Sequence, residues 1–134
     1  MRSEIMAYDT ERRNFLDITR DVERFVSSAS SDGLVNVFVP HATAGVALIE
    51  TGSGSEQDLA AALERLLPRD GDYAHRHGSP GHGRDHVLPA FVAPSVTIPV
   101  VDSRLMLGTW QSVVLVDTNR DNPERSVRFS FIPA

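Results

Sequence analysis

The chain has 134 residues, 41% of them hydrophobic and 23% charged, with a net charge of −5 and no cysteine. A chain of this length buries roughly two-thirds of its unfolded surface, enough for a single domain over residues 1–134. The acidic balance argues against nucleic acid as a partner, the missing cysteines exclude disulfides and thiolate ligands, and nothing approaches the ~20 apolar residues of a membrane span or the apolar run of a secretion signal. A cytoplasmic protein is expected.

Residues 3–8 read as a first strand and Asn14–Ile18 as a short second one. Thr19 is the expected N-cap of a helix, with Asp21 and Glu23 in its first turn, where negative charge suits the helix dipole. Val22, Phe25 and Val26 give it helical spacing. Gly33 precedes a strand over Leu34–Val39, and Pro40 and His41 end it. Ala44–Ile49 is the next apolar strand, with Glu50 just beyond it. Ser55 is placed to cap a second helix, with Asp58 in the capping-box position. Leu59, Leu63, Leu66 and Leu67 form its apolar stripe, and Pro68 stops it. A histidine-rich loop follows, and His86–Phe91 reads equally as strand or short helix.

The last third is β structure. Ser95–Val101 alternates but contains Pro99, which predicts an edge or bulged strand. Trp110–Asp117 is β-branched, Asn119–Arg125 is a turn and Ser126–Ile132 alternates, so the last two strands are expected to form a hairpin. Strands with two helices predict an α+β, sheet-rich domain.

Four of the five histidines, His75, His77, His82 and His86, fall within twelve residues. Neutral imidazole is the commonest metal ligand and the side chain best suited to proton transfer near neutral pH. A loop that returns on itself can bring His75 and His86 together across their eleven-residue spacing. The other reading is a set of exposed loop histidines, and His77 and His82 fit that reading better. His41 stands at a strand end before the small residues Ala42-Thr43-Ala44-Gly45. With Glu50 it can offer an imidazole and a carboxylate to one pocket; a surface role for Glu50 is the alternative. Asp85, beside His86, is either a partner that orients an imidazole or a solvated loop charge.

Trp110 and Gln111 are either a stacking surface with a donor–acceptor amide or a buried core tryptophan with a structural glutamine. Arg104 is either an anion-binding guanidinium or the salt-bridge partner of Asp102. Gly52-Ser-Gly-Ser55 is a weak anion-binding candidate ahead of a helix.

Taken in order, these segments resemble the YjbQ-like family, associated with secondary thiamine-phosphate synthase activity. The resemblance runs over nearly the whole chain. It is carried by His41-Ala-Thr-Ala-Gly45, by Glu50, by Tyr73-Ala-His75, by His86, by Pro94-Ser-Val-Thr-Ile-Pro99 and by Ser103-Arg-Leu-Met-Leu-Gly-Thr-Trp-Gln111. Ala42 stands where the family has a hydroxyl residue and Ile49 where it has Asn. Gly81 and His82 stand where members often carry an acidic residue or Asn.

The resemblance implies a compact α+β fold, a homotrimer, and a metal or anion site lined by His41, His75 and His86 with Glu50, Arg104 and Gln111 nearby. It implies an enzyme that joins a pyrimidine methyl diphosphate to a thiazole phosphate and releases diphosphate. Metal ligation then falls to His41, His75 and His86, catalysis to His41, Glu50 and Arg104, and contact with a small phosphorylated heterocycle to Arg104, Trp110 and Gln111. The cofactor expected is a divalent metal: imidazole favours zinc, whereas diphosphate chemistry favours magnesium. Two further readings stay open. One is a metal-dependent hydrolase or lyase acting on another phosphorylated compound. The other is a non-catalytic trimer that binds a metal or small ligand.

Overall fold

The computed structural model describes residues 1–134. Its elements in chain order are β1 (Arg2–Asp9), β2 (Phe15–Asp17), α1 (Thr19–Val26), β3 (Gly33–Phe38), β4 (Gly45–Ile49), α2 (Ser55–Leu66), α3 (His82–Asp85), a 3-10 turn (Leu88–Ala90), β5 (Ser95–Val101), β6 (Arg104–Leu105), β7 (Ser112–Val116) and β8 (Glu124–Pro133). The α+β expectation holds, with a third, four-residue helix in the histidine-rich segment.

The strands form two antiparallel sheets, a five-stranded one in the order β1-β8-β3-β5-β6 and a three-stranded one in the order β2-β7-β4. Their facing sides make the main core. Val35, Val37, Ile98, Val100, Val127 and Phe129 of the large sheet pack with Val46, Val113 and Leu115 of the small one, and α1 adds Val22, Phe25 and Val26. A second core lies on the other side of the small sheet, where Val114 and Val116 meet Leu63 of α2 with Leu88 and Val92. The small sheet is therefore a middle layer.

This layering explains a departure from the sequence reading. β7 and β8 are not a hairpin: β7 pairs with β2 and β4, and β8 with β1 and β3. β7 is buried on both faces, which requires the unbroken run Val113-Val-Leu-Val116, whereas β8 has one outward face and alternates. The segment between them crosses from one sheet to the other. Pro99 sits as expected in a strand with a mostly open edge, since β6 covers only Val100 and Val101.

Two helix starts also differ. α1 has Ile18 at its N-cap and Thr19 as its first residue; the Asp17 Oδ1 accepts the Thr19 N–H at 3.0 Å and its hydroxyl at 2.6 Å. Thr19 is turned toward β7, where its Oγ1 accepts the Val113 N–H at 2.8 Å. α2 starts after Gly54, which takes a left-handed φ of 96° and leaves Ser55 inside the helix. The Glu56 carboxylate accepts the Gly52 N–H at 2.9 Å, so the chain's own acid sits at this helix start in place of an external anion. Of the expected stripe on α2, Leu63 and Leu67 are buried but Leu66 faces solvent.

Candidate metal centre

The histidine-rich segment is built by close backbone approach. A Cβ on Gly83 would lie 2.3 Å from the His75 carbonyl oxygen, so only glycine lets the two limbs of the segment meet there. Gly81 takes a left-handed φ of 90° and starts α3. The single turn of α3 then sets His82 and His86 four residues apart on one face. The result is a cluster of all four imidazoles, with ring centroids between 4.0 Å (His75–His86) and 6.4 Å (His77–His86) apart.

Within this cluster His75, His82 and His86 each present a ring nitrogen within 4.8 Å of the others. Nε2 of His82 and Nε2 of His86 are 3.1 Å apart. Two nitrogens on one tetrahedral zinc stand about 3.3 Å apart, given zinc–nitrogen bonds of about 2.0–2.1 Å. The His75 Nε2 is buried without any hydrogen-bond partner. An unmet buried polar atom is unfavourable, and a divalent cation is the partner that suits a lone pair facing two others. The donor set therefore fits a metal such as zinc. His77 is exposed and lies outside the three-ligand group.

Of the expected set of His41, His75 and His86, the structure brings His75 and His86 together, with His82 as their third neighbour, while His41 lies outside this group within one chain. His82, read from the sequence as an exposed loop histidine, is held in this group. The Asp121 Oδ2 lies 2.6 Å from His82 Nδ1 and also accepts the Ser79 N–H at 3.2 Å. That N–H, with the His82 imidazole, holds the Asp121 carboxyl below the usual carboxylate range. Burial, and then the neighbouring imidazoles, lower the pKa of both His75 and His86 and keep their lone pairs free at neutral pH.

Asp85 orients no imidazole directly. It is buried, accepts the Thr118 hydroxyl at 2.8 Å and the Asn119 amide at 3.1 Å, and lies 3.9 Å from Arg69. Behind it, Asp117 and Arg125 make a buried two-point pair at 2.7 and 3.0 Å, and Arg125 donates to Thr43 at 2.8 Å. His41 stands next to this pair. Its Nε2 accepts the Ser126 N–H at 2.9 Å, which occupies the lone pair it would give a metal. Burial, and then Arg125, lower its pKa.

The other expected site residues lie at remote strand ends. Glu50 follows β4 at the end opposite His41, about 16 Å along the strand, so the two share no pocket within one chain. Arg104 pairs in register with Val101, beside the start of β3, whereas His41 follows the end of β3. Arg104 is exposed and forms no ion pair with Asp102, whose own N–H donates to Asp32. Trp110 is 73% exposed, which removes the core reading. Gln111 closes the turn beneath it: its Oε1 accepts the Gly108 N–H at 2.8 Å, and its N–H donates to the Gly108 carbonyl.

A cavity of about 340 Å³ opens beside the imidazoles, lined by Arg69, Tyr73, Arg76 and the histidine loop. Arg69 donates to the Pro80 and Thr118 carbonyls, and Arg76 pairs with exposed Asp72. The guanidinium groups lining that cavity are therefore Arg69 and Arg76, not Arg104.

Residues 3–134 match the family described as UPF0047 protein YjbQ-like. The chain belongs to the YjbQ family. It is 62% identical over 132 residues to UPF0047 protein Rv2556c of Mycobacterium tuberculosis, covering 98% of each chain. It is 31% identical to a UPF0047 protein of Archaeoglobus fulgidus, over 92% of this chain and 96% of that one. Among YjbQ-like solved structures, the hypothetical protein APE1520 of Aeropyrum pernix superposes with a TM-score of 0.88 at 32% identity, covering all of both chains. The conserved hypothetical protein TT1486 of Thermus thermophilus does so with a TM-score of 0.81 at 29% identity, over 96% of this chain and 99% of that one. These likenesses bear out the resemblance read from the motifs.

Proposed function

We infer that this YjbQ-family chain is a metal-dependent enzyme acting on small phosphorylated heterocycles, with thiamine-phosphate synthesis as its leading reaction. In that reaction a pyrimidine methyl diphosphate joins a thiazole phosphate and diphosphate leaves. The observation that carries the metal reading is the convergence of His75, His82 and His86 around a buried Nε2 that has no partner. Zinc is the metal favoured by three imidazoles and no carboxylate ligand. A divalent cation held there supplies Lewis acidity toward phosphoryl oxygens. The chain's own residues do the rest. Arg76, which lines the cavity, attracts the anionic substrate.

The homotrimer belongs to the same proposal. The outward face of the five-stranded sheet carries exposed Ile5, Leu34, Phe38, Val101 and Ile132, an apolar surface that a second copy would cover. Neighbouring copies are then the source from which Glu50, Arg104 and Trp110 reach a histidine cluster. The compartment proposed is the cytoplasm, where a cysteine-free chain needs no oxidising environment.

The test is metal analysis of purified protein, followed by an assay of thiamine-phosphate formation. Bound zinc with turnover supports the reading. Bound zinc without turnover removes the synthase and leaves the hydrolase or lyase, to be tested by a screen of phosphorylated heterocycles. The three-imidazole set supports this second reading as well, because it would leave an open position for water. Tight ligand binding without turnover in that screen would indicate a binding protein.

A further inference from the structure

We propose that Asp121, placed by the buried amide of Asn119, is the positioning residue that locks His82 in its Nδ1–H tautomer and so makes it a metal ligand through Nε2. This rests on the metal reading above and deepens it.

An ionised carboxylate can only accept, so in the 2.6 Å contact between Asp121 Oδ2 and His82 Nδ1 the hydrogen sits on the imidazole. The other nitrogen, Nε2, then carries the lone pair, and it is this atom that lies 3.1 Å from His86 Nε2. Metal-bound histidines characteristically donate their second N–H to such a partner, which fixes the tautomer and raises ligand basicity.

Asp121 is itself held from two directions. On the histidine side it accepts the Ser79 N–H at 3.2 Å. On its own side, the Asn119 Oδ1 accepts the N–H groups of Asp121 and Asn122 at 2.9 and 3.1 Å. The Asn119 Nδ2 donates to Asp85 at 3.1 Å, and the Asn119 N–H donates to Asp117 at 3.1 Å. Asn119 is 2% exposed, and these bonds settle which end of its amide is oxygen. The 3.3 Å approach of its Nδ2 to His82 Nδ1 then sets two N–H groups side by side and is a packing contact, not a bond. The amide thus fixes the turn that presents Asp121, and Asp121 fixes the ring.

The alternative is that Asp121 merely clamps the loop through Ser79. The two roles separate experimentally. Nitrogen-15 NMR of the metal-free protein at pH 8 is expected to show His82 protonated at Nδ1. A wild-type His82 protonated at Nε2 overturns the proposal, and this reading needs no variant to fold. Zinc affinity, measured by chelator competition, is expected to fall about 10–100-fold in Asp121→Asn and to stay unchanged in Asp70→Asn, an exposed acid just ahead of the histidine-rich segment. The cobalt-substituted spectrum of Asp121→Asn should change in parallel. Equal zinc affinity in wild type and Asp121→Asn, with the fold intact, would leave Asp121 as a loop clamp and sink the proposal alone. If wild type binds neither zinc nor cobalt, the metal reading itself fails and takes this inference with it.

Discussion

His82 and His86 point their Nε2 atoms at one another across 3.1 Å, from positions one helical turn apart. Two neutral imidazoles at that distance either share one hydrogen or face a common cation. The unpartnered His75 Nε2 beside them favours the cation.

Replacing either member of that pair is expected to strip the site. His82→Ala and His86→Ala should each weaken zinc binding by at least the roughly 10–100-fold that outer partners alone are worth. His77→Ala should cost much less, because His77 lies outside the ligand group. Zinc titrations of the three variants check this. A His82→Ala protein that keeps wild-type affinity would return the site to His75, His86 and a ligand from elsewhere.

Zinc should also stabilise the fold. A ligand that binds only the folded chain, at a free concentration 100 times its dissociation constant, adds about 2.7 kcal/mol. Thermal melts with and without zinc, repeated on His86→Ala, measure the gain. The variant should lose most of it.

His41 gives a pH dependence whose sign is fixed. Burial and Arg125 lower its pKa in the folded state, while the unfolded imidazole keeps a value of about 6.5. Above that pH both states are neutral and His41 contributes no slope. As the pH falls through about 6.5, the unfolded chain takes up a proton that the folded chain refuses, and stability drops. His41→Gln, whose amide oxygen can still accept the Ser126 N–H, should show a shallower loss between pH 7 and pH 5. Urea unfolding at both pH values gives the comparison. A wild-type slope no steeper than the variant's would mean that His41 titrates normally in the folded chain.

The Asp117–Arg125 pair is buried, two-pointed and extended by Thr43. Removing one partner strands a charge, so Asp117→Asn or Arg125→Met should cost about 3–5 kcal/mol. The double replacement Asp117→Asn with Arg125→Met should cost less than the two single losses added together. Chemical denaturation of the three proteins tests this. Strict additivity would show that the two residues act independently.

Much of the architecture can be read along the chain, because burial writes itself into periodicity. Val22, Phe25 and Val26 mark α1, and the outward Arg128 between inward Val127 and Phe129 marks β8. Chain order misled where two neighbouring strands serve different sheets: the local pattern of β7 and β8 fits a hairpin, and only the doubly buried run of β7 separates them. In the site, the motifs point to His75 and His86. Nothing in the local sequence beyond proximity singles out His82, although its four-residue spacing from His86 is itself a ligand spacing on a helix. Asp121 and Asn119 had no local signal. They lie 39 and 37 residues from His82, and only the crossing from β7 to β8 brings them back to it.

That crossing gives the two sides of the histidine cluster unequal footing. Thr118 and Asn119 continue directly from β7, the strand enclosed by both cores, and amide hydrogens along β7 should exchange only when the whole molecule opens. The opposite wall, from Tyr73 to His82, is a surface segment bent at Gly78 and Gly81, both with left-handed φ. The histidines thus stand on a surface limb, while Asn119, which presents Asp121 to them, stands on an extension of the enclosed strand.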